Sequence, residues 1–298
     1  MRTSLTLGPV PYLWQPDEWR DFYYRIADEA DIDVVVVGEV VCSKRLHFHD
    51  PLVDDVATRL RRGGKQVRRA SLALITQQRE LRSLHALVDG GAPIEVGDLT
   101  GHAALVGAPH AIGPLVNVYN AATARLLGKQ GATTICLPPE LPWTSVRGIA
   151  SNVPEVAFEV FAFGRVPLAI SARCAHARVK GTTKDNCRFV CGEEPDGLEV
   201  ETLDGQPFLA LNGVQTVSST VQNLIVEAAS MQAGGIASLR LSPQVCDMVR
   251  VARNFRGVLD GDLEADAALA DLRRMAAQYA YAYSNGFFHG EPGHVWRQ

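Results

Sequence analysis

Apolar residues along this chain come in two alternating kinds of stretch. Short runs carrying β-branched residues, Ser4 to Val10, Asp33 to Glu39 and Gln66 to Leu74, end in turn or polar signals and predict strands. Between them the apolar positions recur at helical spacing. Trp19, Phe22, Tyr23, Ile26 and Ala27 share one face, and Val53, Val56, Ala57 and Leu60 share another. Pro16 with Asp17 and Glu18, and Asp50 with Pro51, supply helix-start chemistry, while Gly63 and Gly64 supply a stop.

The rhythm continues with strands expected at Ile94 to Asp98, Leu115 to Asn120, Thr133 to Leu137 and Glu159 to Ala169. Helices are expected at Gln77 to Val88, Ala121 to Lys129 and Thr144 to Ala150. Strand and helix in alternation imply parallel strands with helical crossovers, and the number of units favours a closed (βα)8-like barrel over an open sheet. After Ala172 the pattern breaks. Arg173 to Gly192 holds three cysteines among charged and small residues and reads as a loop inserted into the barrel. Strands at Phe208 to Asn212 and Ala237 to Leu241, then a long helical tail through Tyr283, resume the order. No repeat or linker divides the chain, so residues 1–298 are taken as one α/β domain.

Composition narrows the function more than the fold. With 47% hydrophobic and 21% charged residues the chain has the make-up of a folded globular protein, and a net charge of -4 gives no general attraction to nucleic acid or an anionic membrane. The N-terminal apolar stretch is interrupted by Gly8 and Pro9, too short and broken for a signal peptide, and no run reaches membrane-spanning length. The expectation is a cytoplasmic protein whose six cysteines stay reduced, and so are ligands or buried small hydrophobes.

Cys174, Cys187 and Cys191 are spaced C-x12-C-x3-C among Arg173, Arg178, Lys180, Lys184 and Arg188, cations that favour the thiolate. Cys42 lies just past the strand ending at Gly38 and Glu39, where a barrel delivers functional residues. Four thiolates complete an iron-sulfur site. Unrelated reduced cysteines and a zinc site are the competing readings, the latter disfavoured by the lack of C-x2-C knuckles. Cys136 and Cys246, in apolar surroundings, read as buried hydrophobes. His47 and His49 are expected in a loop before a helix. No G-x-G, G-x-S-x-G or H-E-x-x-H occurs, which removes the common nucleotide-loop and hydrolase routes. Glu39, Asp98, Asn117, Tyr119, Asn120, Glu140 and Arg173 stand at expected strand ends, where they would either converge on the barrel mouth or cap the next helices. Glu39 and Arg173, beside cysteines, are the catalytic candidates.

Several segments together carry a resemblance: Gly38-Glu39-Val40-Val41-Cys42-Ser43-Lys44-Arg45, Asn117-Val118-Tyr119-Asn120-Ala121, Ser171-Ala172-Arg173-Cys174, Lys184-Asp185-Asn186-Cys187, Leu211-Asn212-Gly213-Val214-Gln215-Thr216 and Arg240-Leu241-Ser242-Pro243-Gln244. In these the chain resembles the anaerobic ubiquinone-biosynthesis members of the collagenase-like peptidase superfamily. The resemblance implies a barrel, a 4Fe-4S cluster on Cys42, Cys174, Cys187 and Cys191, and a heterodimer with a related subunit that hydroxylates a quinone precursor without oxygen. A scaffold subunit with a structural cluster and a peptidase-like hydrolase are the alternatives.

Overall fold

The computed structural model describes residues 2–298. Eight parallel strands close into a barrel: β1 (Ser4–Leu7), β2 (Val34–Val37), β3 (Gln66–Ala70), β4 (Ile94–Val96), β5 (His110–Ile112), β6 (Ala132–Leu137), β7 (Ala157–Ile170) and, after an excursion, β11 (Ser238–Leu241). Closure rests on β11, whose Leu239 pairs with Leu5 on one side and Val160 on the other.

Helices α1 (Pro16–Glu29), α2 (Leu46–Arg62), α3 (Gln78–Asp89), α4 (Leu99–Ala104), α5 (Ala121–Lys129) and α6 (Trp143–Asn152) follow the first six strands. The expected apolar faces are the buried ones: Trp19, Tyr23, Ile26 and Ala27 on α1, and Val53, Val56, Ala57 and Leu60 on α2, all reaching the main core. Among the described residues no helix is long and apolar enough to cross a membrane.

The excursion is larger than the inserted loop expected. Strand β7 runs for 14 residues, the first half in the barrel wall and the second half projecting beyond it. There it pairs antiparallel with β10 (Gln215–Asn223), which pairs with β9 (Pro207–Asn212), and that with β8 (Leu198–Glu201). The short α7 (Ala175–Val179) lies in the connection from β7 to β8. The strand foreseen at Phe208 to Asn212 is therefore β9 of this outer sheet and not a barrel stave. Gly164 marks the departure from the wall, with φ +126 and so little room that a β-carbon would stand 2.7 Å from Ser242 Cβ.

Two further expectations change. Leu115 to Asn120 is not a strand: Pro114–Val116 forms a 3-10 turn and Asn117 is left-handed, while the fifth strand is the three-residue β5 before it. The C-terminal tail is not one helix. After α8 (Ala228–Ala233) and β11 come α9 (Met248–Asp260) and α10 (Ala265–Ala276), separated at left-handed Gly261, and then β12 (Tyr283–Ser284), paired with β10.

Candidate iron-sulfur site and barrel mouth

The chain leaves β2 through Gly38 and Glu39 into a turn held from below. The buried Glu39 carboxylate accepts from the backbone N–H of Val41 at 2.7 Å and of Cys42 at 3.0 Å. Burial pushes the Glu39 carboxyl up, opposed by the Arg45 charge and these two N–H groups. Cys42 then starts the 3-10 turn Ser43–Arg45 that runs into α2, one turn earlier than Asp50-Pro51 suggested. Consequently His47 and His49 lie on the helix rather than before it. His49 is buried, stacked on Trp19 at 4.9 Å and bonded to the Trp14 carbonyl at 3.0 Å, which makes it a packing residue.

From the outer lobe come the other three thiols. Cys174 begins α7, and its Sγ accepts from the Ala177 N–H at 3.3 Å, the kind of contact that steadies a ligating sulfur. Between Cys187 and Cys191 the backbone takes two consecutive left-handed residues, Arg188 (φ 47) and Phe189 (φ 57). Such conformations cost on the order of 1–3 kcal/mol each and persist only where packing holds them. Here Phe189 packs edge-on against Phe48 at 4.9 Å and His47 at 5.2 Å.

Cys42, Cys174, Cys187 and Cys191 line a single cavity together with Lys44, Arg45, Lys184 and Gly213. Val40, Val41, Ala177 and Val214 pack with Cys42, Cys174 and Cys187 in a small apolar cluster separate from the main core. Among the described residues no group of three or more His, Cys, Asp and Glu is arranged around a single ion. A polynuclear cluster asks for something different, thiolates spaced around a core of several irons.

Arg45 is the residue that sequence reasoning passed over. It is 1% exposed, donates from Nη1 to the Pro11 carbonyl at 2.8 Å and from Nη2 to Asn212 Oδ1 at 2.8 Å, and leaves Nε buried with no partner among the described residues. A cavity ringed by thiols beside an unmatched N–H and a fixed cation fits a negatively charged sulfur cluster. Gly213 permits the approach, since a β-carbon there would stand 2.6 Å from Arg45 Nη2. Burial pushes the Cys42 and Cys174 thiols up, outweighing the cations expected to favour thiolate. The reason is placement: Arg173 and Arg178 are exposed at the surface of the lobe. Lys44 and Lys184 do line the cavity, but their ammonium groups donate to backbone carbonyls, Lys44 to Lys184 at 2.6 Å and Lys184 to Ala172 at 3.0 Å.

Cys136 is buried on β6 as expected, whereas Cys246 is half-buried just ahead of α9, with its thiol pushed up by burial. The polar residues at strand ends do not gather in the mouth. Asp98 and Asn120 cap α4 and α5, accepting from Gly101 N at 2.9 Å and Thr123 N at 2.8 Å, and Tyr119 bonds Glu140 at the surface. The mouth cavity is lined instead by Gly8, Ser71, Glu95, Arg165, Gln215 and Arg240, with apolar residues between. Arg240 reaches from β11 across the barrel, donating from Nε to Glu159 at 2.6 Å and from Nη2 to Glu95. Burial pushes the Glu95 carboxyl up despite Arg240; at Glu159 burial is outweighed by Arg240 and the carboxyl is held down. A signal for this triad exists in the sequence: each member is one charge between apolar neighbours in a strand, Ile94-Glu95-Val96, Phe158-Glu159-Val160 and Leu239-Arg240-Leu241.

The sequence profile of peptidase family U32 matches residues 18–298. Similar solved structures include one described as the U32 peptidase Mk0906, 14% identical with a TM-score of 0.46, covering 82% of this chain and 94% of that one. Another is an uncharacterized B. cereus protein, 13% identical with a TM-score of 0.41, covering 80% of this chain and 60% of that one.

Proposed function

The chain belongs to peptidase family U32, and within that family we propose that it is the iron-sulfur subunit of an oxygen-independent hydroxylase of ubiquinone biosynthesis, of the UbiV type, working in the cytoplasm as a heterodimer with the related subunit UbiU. The observation that supports this best is the convergence of Cys42, on the second barrel unit, with Cys174, Cys187 and Cys191, on the outer lobe, at one cavity. These four would hold a 4Fe-4S cluster, which when bound supplies one-electron chemistry. Arg45 contributes a permanent positive charge that offsets the thiolates, and the apolar shell of Val40, Val41 and Val214 limits water around them.

The cysteine cavity and the mouth cavity share no lining residue, and Val40, packed beside Cys42 and also walling the mouth, stands between them. They are joined by a chain of contacts: Arg45 bonds Asn212, and Asn212 donates to Gln215 at 3.1 Å and to the Pro11 carbonyl at 2.8 Å. Gln215 and Pro11 line the mouth. This separation favours an electron-relaying or structural cluster over one that touches a substrate in the mouth. It also keeps the scaffold reading open as the second function.

The test is anaerobic purification with and without coexpressed UbiU, followed by iron and sulfide analysis. Four irons per chain, lost on Cys→Ala at any of the four positions and retained in Cys136→Ala and Cys246→Ala, are expected. Iron that survives loss of Cys42 or Cys174 would overturn the ligand set. A chain that supports quinone hydroxylation with no stable UbiU complex would overturn the partnership.

A further inference from the structure

Arg45 keeps one N–H unspent beside the four thiols. Its Nη1 donates to the Pro11 carbonyl and its Nη2 to Asn212 Oδ1, both at 2.8 Å, and because a guanidinium is planar these two anchors also fix the direction of the Nε–H. The anchors are themselves held. Asn212 Nδ2 donates to the Pro11 carbonyl at 2.8 Å and to Gln215 Oε1 at 3.1 Å, so the fork cannot turn to another acceptor without breaking this knot. Nε is buried with no partner among the described residues, in a side chain that lines the cysteine cavity. An unmatched buried donor is costly, more so on a charged group, and the position calls for an acceptor.

The other cations of the cavity are turned elsewhere. Lys44 donates to the carbonyls of Lys184 and Asp185, and Lys184 to that of Ala172. A cluster on four thiolates takes on a further negative charge when it is reduced by one electron, and the apolar shell of Val40, Val41 and Val214 disfavours that extra charge. A fixed cation and an N–H bonded to sulfur favour it. We propose that Arg45 donates its Nε–H to a sulfur of the cluster, a cysteine thiolate or a bridging sulfide, and thereby sets the reduction potential above the value that the apolar shell alone would give. This deepens the reading above and rests on it for the presence of the cluster. The role differs from ligation, since it moves the potential at unchanged iron content.

The test is a dithionite titration of anaerobically purified protein, with the reduced cluster followed by electron paramagnetic resonance at known potentials. Arg45→Gln, which removes the charge, is expected to lower the ratio of reduced to oxidised cluster at a given potential at least tenfold, a shift of about 59 mV for a one-electron couple. Arg45→Lys keeps a charge but loses the planar N–H, and its potential should fall between those of the parent and Arg45→Gln. If the variants fail to fold, the parent protein decides. Grown with arginine carrying the heavy nitrogen isotope, it should show a nitrogen coupling to the reduced cluster in pulsed resonance spectra. An unmoved or higher potential in Arg45→Gln, a parental potential in Arg45→Lys, or no nitrogen coupling in the parent, each with four irons per chain, would overturn the role of Arg45 and leave the ligand set standing. Protein that binds no iron would overturn the four-cysteine reading and this proposal together.

Discussion

Asn212 accepts a 2.8 Å hydrogen bond from Nη2 of Arg45, and this contact ties the start of α2 to the outer lobe across 167 residues of chain. It acts beside two other ties between these segments, Lys44 on the Lys184 carbonyl and Phe189 against Phe48. Asn212→Ala would leave a buried guanidinium N–H unmatched, a loss of about 1–3 kcal/mol. The expected outcome is a urea midpoint lowered accordingly and faster iron release to a chelator. Arg45→Lys should behave similarly, because an ammonium cannot reproduce the fork that meets the Pro11 carbonyl and Asn212 together. Unchanged iron retention in both would mean that the lobe is fixed elsewhere.

Gly213 tests the same junction from the other side. Its φ of +64 and the 2.6 Å separation between a built β-carbon and Arg45 Nη2 make two separate demands for glycine. Alanine should cost about 1–3 kcal/mol through the backbone alone. Asparagine tolerates the left-handed region better but still collides with Arg45. Thermal melts showing Gly213→Asn as damaging as Gly213→Ala would identify the collision as the larger effect, and a much milder Asn variant would assign it to the backbone.

Glu95 gives the fold a pH dependence of definite sign. Its native carboxyl is raised above the ordinary value by burial, so at intermediate pH the native state holds a proton that the unfolded chain has released. Stability from this group is therefore greatest at low pH and falls as pH rises from the ordinary carboxylate range through the raised native value. The neighbours are Arg240, Glu159 and Arg68, of which the two arginines oppose the rise and Glu159 adds to it. Glu95→Gln should remove this slope, so that its urea midpoint gains on the parent protein as pH increases from 4.5 towards neutrality. A variant whose relative stability declines over that range would contradict the assignment.

Arg173 is exposed, with its backbone N–H bonded to Ser171 Oγ at 3.2 Å. Arg173→Ala should change stability by no more than about 0.5 kcal/mol and leave the iron content unaltered. Hydroxylation per iron is the deciding measurement. A normal value would leave Arg173 as a surface residue, whereas a severe loss would assign it to an interface with substrate or partner.

The barrel was legible because its evidence is local. Val34–Val37 is apolar throughout as a stave buried on both faces should be, and the helical faces of α1 and α2 repeat at the right spacing. Strand β5 was missed because three residues, His110-Ala111-Ile112, carry too little pattern, while the more apolar Leu115-Val116-Asn117-Val118 behind Pro114 imitates a strand. β10 was missed because Gln, Ser and Thr dominate it. The four cysteines could be grouped from residue type and resemblance. Arg45 could not be singled out, since an arginine early in an amphipathic stretch ordinarily faces water. What buries it is Pro11, Asn212 and Gly213, supplied by distant parts of the chain.

One strand belongs to both halves of the molecule. Beyond Gly164, the remaining residues of β7 project by about 3.3 Å each, a beam of roughly 20 Å whose root is clamped between β6 and β11 and whose length is braced by β10. Gly164, with φ +126 and Ser242 pressed against it, sets the direction in which the beam leaves the wall. A side chain at that position would press on Ser242 and load the direction in which β7 carries the lobe, setting the strain against the contacts that hold three of the sulfurs to the fourth.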